Sequence, residues 1–173
     1  SLMTYWNKLK YKLVKSETVP LLGRDGVERP MKLFVFTDLY DLTILLIHLH
    51  MPHHKTHTEI VNTLTQYIDK YKKQYSFDTI FIAGDFNTDI NEINNLKSAN
   101  IIKNIPTCFS KDGKRSYAID KIFSNCYPQF RFVNHDKNKL SDHIPIFIRF
   151  CYFKQNTGNK PVSPYDKVLE CKQ

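Results

Sequence analysis

The chain has 173 residues, which suggests one domain long enough to build its own core. Apolar residues make up 42% and charged residues 24%, ordinary globular usage. Lys and Arg number 25 against 17 Asp and Glu, a net charge of +8 that favours polyanionic partners such as nucleic acid, phosphoinositides or an anionic membrane surface.

Tyr11 to Val14 and Met31 to Thr37 cluster apolar residues as strands do, and Leu22-Gly23-Arg24-Asp25-Gly26 between them is a turn signal. Leu42 to Leu49 is a stronger strand, apolar on both faces, as in a strand buried within a layered sheet. It is the longest apolar run and is far too short to span a bilayer, so no transmembrane segment is predicted. Thr56 followed by Glu59 forms a capping box, and Ile60, Leu64, Ile68 and Tyr71 then recur at helical spacing. Thr79 to Ala83 reads as a short buried strand. Asp89 with Glu92 reads as a second capping box, predicting a short helix to about Ser98. Ala118 to Phe123, Gln129 to Val133 and Ile144 to Phe150 read as the last strands. Residues 1–153 are expected to form the domain and 154–173 a polar tail. Helices alternate with strands only in the middle, which predicts an α/β layered fold with a mixed sheet. Lys8, Lys10 and Lys12 interrupt any apolar signal region. Cys108, Cys126, Cys151 and Cys171 show no metal-ligand spacing and read as reduced thiols, consistent with an intracellular, cytoplasmic location.

Chemistry concentrates at strand ends. Gly84-Asp85-Phe86-Asn87 follows a buried strand directly, and Asp85 and Asn87, two apart, face the same way if the segment is extended. One offers a carboxylate for a cation; the other offers an amide for a phosphate oxygen or a water. A capped Asp-Asn turn would look the same. His48 lies inside an apolar strand, where a satisfied core histidine is the commoner case, and His50 shares its face. His53, His54 and His57 crowd the next loop without a common zinc spacing. Asp120 sits in an apolar strand, a costly place for a carboxylate unless it is paired. A histidine would settle that cost and gain orientation and a raised pKa, which makes Asp120 and His143 a candidate dyad. Gly113-Lys114-Arg115 is either a phosphate grip or a solvated loop.

The order of the short motifs carries more information than any one of them. Ile47-His48-Leu49, Gly84-Asp85-Phe86-Asn87, Pro106-Thr107, Ala118-Ile119-Asp120-Lys121-Ile122-Phe123 and Ser141-Asp142-His143-Ile144-Pro145 together resemble the second half of the endonuclease/exonuclease/phosphatase, or DNase I-like, superfamily. The resemblance implies a layered α/β sandwich and a phosphodiester hydrolase, a nuclease above all, that uses Mg²⁺ or Mn²⁺. It implies that Asp85 activates water, that Asn87 orients water and phosphate, and that His48 binds a phosphate oxygen. His143, oriented by Asp120, would stabilise the pentavalent phosphorane or pass a proton. Asp85, Asn87 and Asp142 would hold the metal; Thr107, Lys114 and Arg115 would support or bind substrate. Nucleic acid is the implied partner, with a phosphorylated lipid or an inositol phosphate or other small phosphoester as alternatives. The superfamily's early Asn and metal-binding Glu have no counterpart, since Glu17 and Glu28 follow no buried strand. The chain therefore resembles a member lacking its N-terminal portion. A catalytically impaired remnant that binds phosphate or nucleic acid is the alternative, and an incomplete sheet would favour a homodimer.

Overall fold

A computed structural model describes residues 2–93, 96–98, 105–112, 114–126, 128–133 and 141–150. The tail expected over 154–173 and Gly113 lie outside the described residues. In chain order the elements are β1 (Tyr11–Leu22), β2 (Glu28–Asp38), β3 (Thr43–His50), α1 (His57–Lys72), β4 (Thr79–Asp85), β5 (Glu92–Ile93) and β6 (Leu96–Ser98). There follow β7 (Cys108–Phe109), β8 (Ser116–Tyr117), β9 (Asp120–Ser124), β10 (Pro128–Val133) and β11 (Ile146–Phe150). Seven strands form one mixed sheet in the order β1-β2-β3-β4-β9-β6-β5, and β10-β11 and β7-β8 form two small sheets.

The topology follows from the connections. Short turns join β1, β2 and β3 antiparallel. The β3–β4 pair is parallel and needs a crossover, which α1 supplies. The capping box opens α1 as predicted: the Glu59 amide donates to Thr56 Oγ1 at 3.2 Å and the Thr56 amide to Glu59 Oε2 at 2.7 Å. Ile60, Leu64, Ile68 and Tyr71 are buried against the sheet. They meet Leu33, Val35, Leu45, Ile47, Leu49, Ile80, Ile82 and Phe123 from alternate positions of the central strands. The strand period sends the intervening residues, including Phe34, Leu46, His48, His50, Asp85 and Asp120, to the opposite face.

Among the described residues the stretch expected as a helix over Asp89 to Ser98 holds no helix; β5 and β6 pair antiparallel there, with Glu92 opposite Lys97 and Ile93 opposite Leu96. Ile90, Ile93 and Leu96 are buried, and their spacing of three serves a pair of antiparallel strands as well as a helix face. Asp89 caps nothing in this arrangement. Its carboxylate accepts from Lys121 Nζ at 2.7 Å, an ammonium whose side chain is 1% exposed and needs a partner. At the other end of the sheet, β1 carries a bulge after Leu13, Pro20 and the charges of Lys12, Lys15 and Glu17, features that discourage pairing with another chain. Among the described residues no helix is long and apolar enough to cross a membrane.

Candidate active site

The site lies at the ends of three neighbouring strands. Parallel pairing sets His50 beside Asp85, and antiparallel pairing sets Asp85 beside Asp120, so one row crosses β3, β4 and β9. Gly84 makes the close approach: its φ is +144°, and a Cβ there would collide with the Leu49 carbonyl oxygen. Beyond β4 the chain is clamped on both sides. The Met51 amide donates to the Asp85 carbonyl and the Phe86 amide to the Ile119 carbonyl, both at 2.8 Å. Phe86 is buried edge-on against Phe123. Asn87 then adopts a left-handed conformation with φ 52°, which its short polar side chain tolerates. Its amide N–H donates to Asp85 Oδ1 at 2.8 Å, and its side-chain Nδ2 donates to the Met51 carbonyl.

The predicted dyad forms. His143 Nδ1 lies 2.8 Å from Asp120 Oδ2, and His143 Nε2 lies 3.9 Å from Asp85 Oδ2. Two loops hold it there. The Ser141 hydroxyl accepts from the His143 amide at 3.0 Å. Thr107 is fully buried and ties three segments together: its Oγ1 accepts from the Asp120 amide, its carbonyl accepts from the Ile144 amide at 2.7 Å, and its own amide donates to the Tyr117 carbonyl. A cavity of about 190 Å³ opens alongside, lined by Ala83, Asp120, Ile122, Ile144 and Ile146 among others.

The electrostatics are those of two like charges side by side. Burial, reinforced by the Asp120 carboxylate, raises the Asp85 pKa despite the Asn87 hydrogen bond and the two imidazoles. The hydrogen bond to Asp120 raises His143 to about 9 against the opposing effect of burial, with the charges of Asp120, Asp85 and Asp142 adding to it. His143 is therefore an imidazolium at neutral pH. His50 moves the other way, lowered by burial although Asp85 pulls it up.

Other residues fall elsewhere. His48 Nδ1 is 2.9 Å from the Thr4 hydroxyl, in the row of Lys32 and Ala83, and burial lowers its pKa. It is His50, two residues further along the same face, whose Nε2 stands 3.6 Å from Asp85 Oδ2. The strand period had placed both on that face; the position of the strand's end decides which one reaches the row. Asp142 is exposed and groups with Cys108 and His143 rather than with Asp85 and Asp120. Lys114 and Arg115 are exposed in the loop between β7 and β8, folded over Ser110 and Asp112. Glu17 bonds Lys70 and Tyr71 on the α1 face, and Glu28 is exposed at the start of β2.

Asp85, Asp120 and His143 each place one donor atom within 4.8 Å of the others. The adjacent carboxylates are only partly offset by the imidazoles beside them, since the Asp85 pKa stays raised, and oxygen donors of this kind suit Mg²⁺ or Mn²⁺, which bind through one or two carboxylates and keep waters for substrate to replace.

No family model matches the chain, and no curated protein matches it. Solved structures do. An endonuclease/exonuclease/phosphatase family protein from Bacteroides thetaiotaomicron superposes with a TM-score of 0.67 at 17% identity, over 87% of this chain and 67% of that one. The endonuclease/exonuclease/phosphatase from Bacteroides vulgatus gives 0.65 at 20% identity, over 86% and 69%. D. rerio TDP2 complexed with a single-strand DNA product gives 0.60 at 15%, over 83% and 70%. The chain thus has the DNase I-like fold of these proteins and spans about two thirds of their length.

Proposed function

We propose that the chain is a divalent-metal-dependent phosphodiester hydrolase acting on nucleic acid by in-line attack of water. The observation that supports it most is the Asp120–His143 pair at 2.8 Å with Asp85 Oδ2 3.9 Å from the far nitrogen, at the ends of adjacent strands. Asp85 would hold the metal, with Asp120 and Asn87 beside it. When bound, the metal neutralises charge on the phosphate oxygens and lowers the pKa of water. The chain's own residues do the rest. Asp85, with a raised pKa, is suited to accept a proton from the attacking water, and Asn87 fixes the carboxylate through its amide. His143, already protonated, donates to the phosphorane oxygen or to the leaving oxygen, and Asp120 holds the plane of its ring and its charge. His50 takes the phosphate-facing place for which His48 is one row too far back. The net charge of +8 and the DNA product held by the TDP2 relative favour nucleic acid over a lipid or inositol phosphate.

The test is hydrolysis of supercoiled plasmid and of bis-p-nitrophenyl phosphate with Mg²⁺ or Mn²⁺ against EDTA. Metal-dependent cleavage is expected, falling on the order of 10²- to 10⁴-fold in His143→Ala. One observation favours a second reading, phosphate binding without turnover: the metal-capable group contains no glutamate among the described residues. A folded chain that binds single-stranded oligonucleotide but cleaves neither substrate would decide for that reading.

A further inference from the structure

Cys108 has no part in the chemistry above, yet it stands opposite the histidine on which that chemistry turns. We propose that Cys108, Asp142 and His143 form a binding site for a soft divalent cation, Zn²⁺ in the first place, whose occupation withdraws His143 from the phosphoester site. The second half of this proposal rests on the hydrolase reading; the first half does not.

The backbone holds the three groups together. The Phe109 amide donates to the Asp142 carbonyl at 2.9 Å and the Ile144 amide to the Thr107 carbonyl at 2.7 Å, which makes Cys108 and His143 an antiparallel bridge pair. Residues directly opposite in such a pair send their side chains to the same face. Asp142 joins them, so that one donor atom from each residue lies within 4.8 Å of the others. A buried cysteine by itself is a small apolar side chain. Sulfur, imidazole and carboxylate converging on one point is a zinc-type donor set. Tetrahedral bonds of about 2.0–2.3 Å put such donors roughly 3.5 Å apart, so closure needs shifts on the order of 1 Å. Asp142 is exposed and can make most of that adjustment, and the His143 side chain is 35% exposed, which leaves solvent for the fourth position.

The two candidate cation sites differ in chemistry. Mg²⁺ takes oxygen and does not compete for a thiolate, whereas Zn²⁺ favours sulfur and nitrogen. His143 belongs to both groups. Its Nδ1 faces Asp120 at 2.8 Å and its Nε2 faces Asp85 at 3.9 Å. A cation that takes either nitrogen displaces the proton that nitrogen carries and takes the ring from one of those carboxylates; that proton and the thiol proton of Cys108 both pass to solvent. The hard-metal site would thereby lose its acid.

The experiment is a Co²⁺ titration of the full chain under non-thiol reductant, read by the near-ultraviolet sulfur-to-cobalt charge-transfer band. A saturable band is expected, bleached by Zn²⁺, abolished in Cys108→Ser, and shifted to at least about tenfold weaker affinity in Asp142→Asn. No band, or one that persists in Cys108→Ser through Cys126, Cys151 or Cys171, overturns the site. Should Cys108→Ser fail to fold, the exposed Asp142→Asn decides: unchanged Co²⁺ affinity overturns it equally. Zn²⁺ should also inhibit Mg²⁺-dependent hydrolysis of bis-p-nitrophenyl phosphate over the range that bleaches the cobalt band. Inhibition that is as strong in Cys108→Ser overturns the competition. A chain that shows the band but hydrolyses nothing keeps the site and overturns the hydrolase reading with its inhibition.

Discussion

The two faces of the seven-stranded sheet are built from the same strands and do different work. On the face under α1, Leu33, Val35, Leu45, Ile47, Leu49, Ile82 and Phe123 are 0% exposed. On the other face, Leu46, Phe81, Ala83 and Ile122 are only partly buried, and the strand ends carry His48, His50, Asp85 and Asp120. Apolar burial contributes about 25 cal/mol per Å² removed from water, so the first face supplies the larger share of the stability. The second spends some of it, because Asp85 opposite Asp120 puts like charges in one cross-strand pair. The candidate site sits where packing is less complete, with a fully buried apolar face directly behind it.

Gly84, where the two faces meet the site, is the position at which the contrast breaks most easily. Gly84→Ala should lose on the order of 4 kcal/mol in urea unfolding, since a Cβ meets backbone rather than a flexible side chain and φ +144° is strained for alanine. Wild-type stability in that variant would show that β3 and β4 can part without cost. The faces themselves are compared by neighbours on β3. Ile47→Ala should cost about 3 kcal/mol and Leu46→Ala about 1 kcal/mol, with Mg²⁺-dependent hydrolysis unaffected per folded molecule in the first. Equal losses would mean that the site face is as closed as the other.

The sequence made the helix face plain because burial there obeys one period at a time: Ile60, Leu64, Ile68 and Tyr71 at helical spacing, the β3 and β4 residues at every second position. The dyad was legible for a related reason, since a carboxylate in an apolar strand demands a partner. The failures have physical sources as well. Ile90, Ile93 and Leu96 fit two periods, and long-range partners decide for strands: β6 pairs with β9, and Asp89 goes to buried Lys121. His48 and His50 share a face, and no local signal says where β3 meets the end of β4; that is fixed by register, a long-range property. β7 and β8 are two residues long, too short for any pattern, and so Cys108 gave no sign of standing opposite His143. Lys114 and Arg115 read equally as a phosphate grip or a solvated loop, because a position between motifs does not fix the direction of a loop.

A further effect of modest size tests whether the polar row contributes to folding at all. The folded-state pKa of His143, about 9, lies above the ordinary 6.5, so the folded chain holds this proton more tightly than the unfolded one. The stability it adds is fully present below pH 6.5 and is lost as pH rises through about 9. His48 and His50, lowered by burial, act in reverse: what they add is present above 6.5 and lost as pH falls. Between pH 7 and 10 the His143 contribution can therefore be read without them. Asp120→Asn removes the charge behind it. At pH 7 the variant should be about 1–2 kcal/mol less stable than wild type, a modest figure because a ring one-third exposed is partly screened by solvent. At pH 10 most of that difference should vanish. In metal-free protein the His143 ring, followed by NMR, should titrate near 9 in wild type and move back towards 6.5 in Asp120→Asn. A difference in stability that is the same at both pH values would mean that Asp120 serves as a hydrogen-bond acceptor only. The charge of the row would then be neutral to folding.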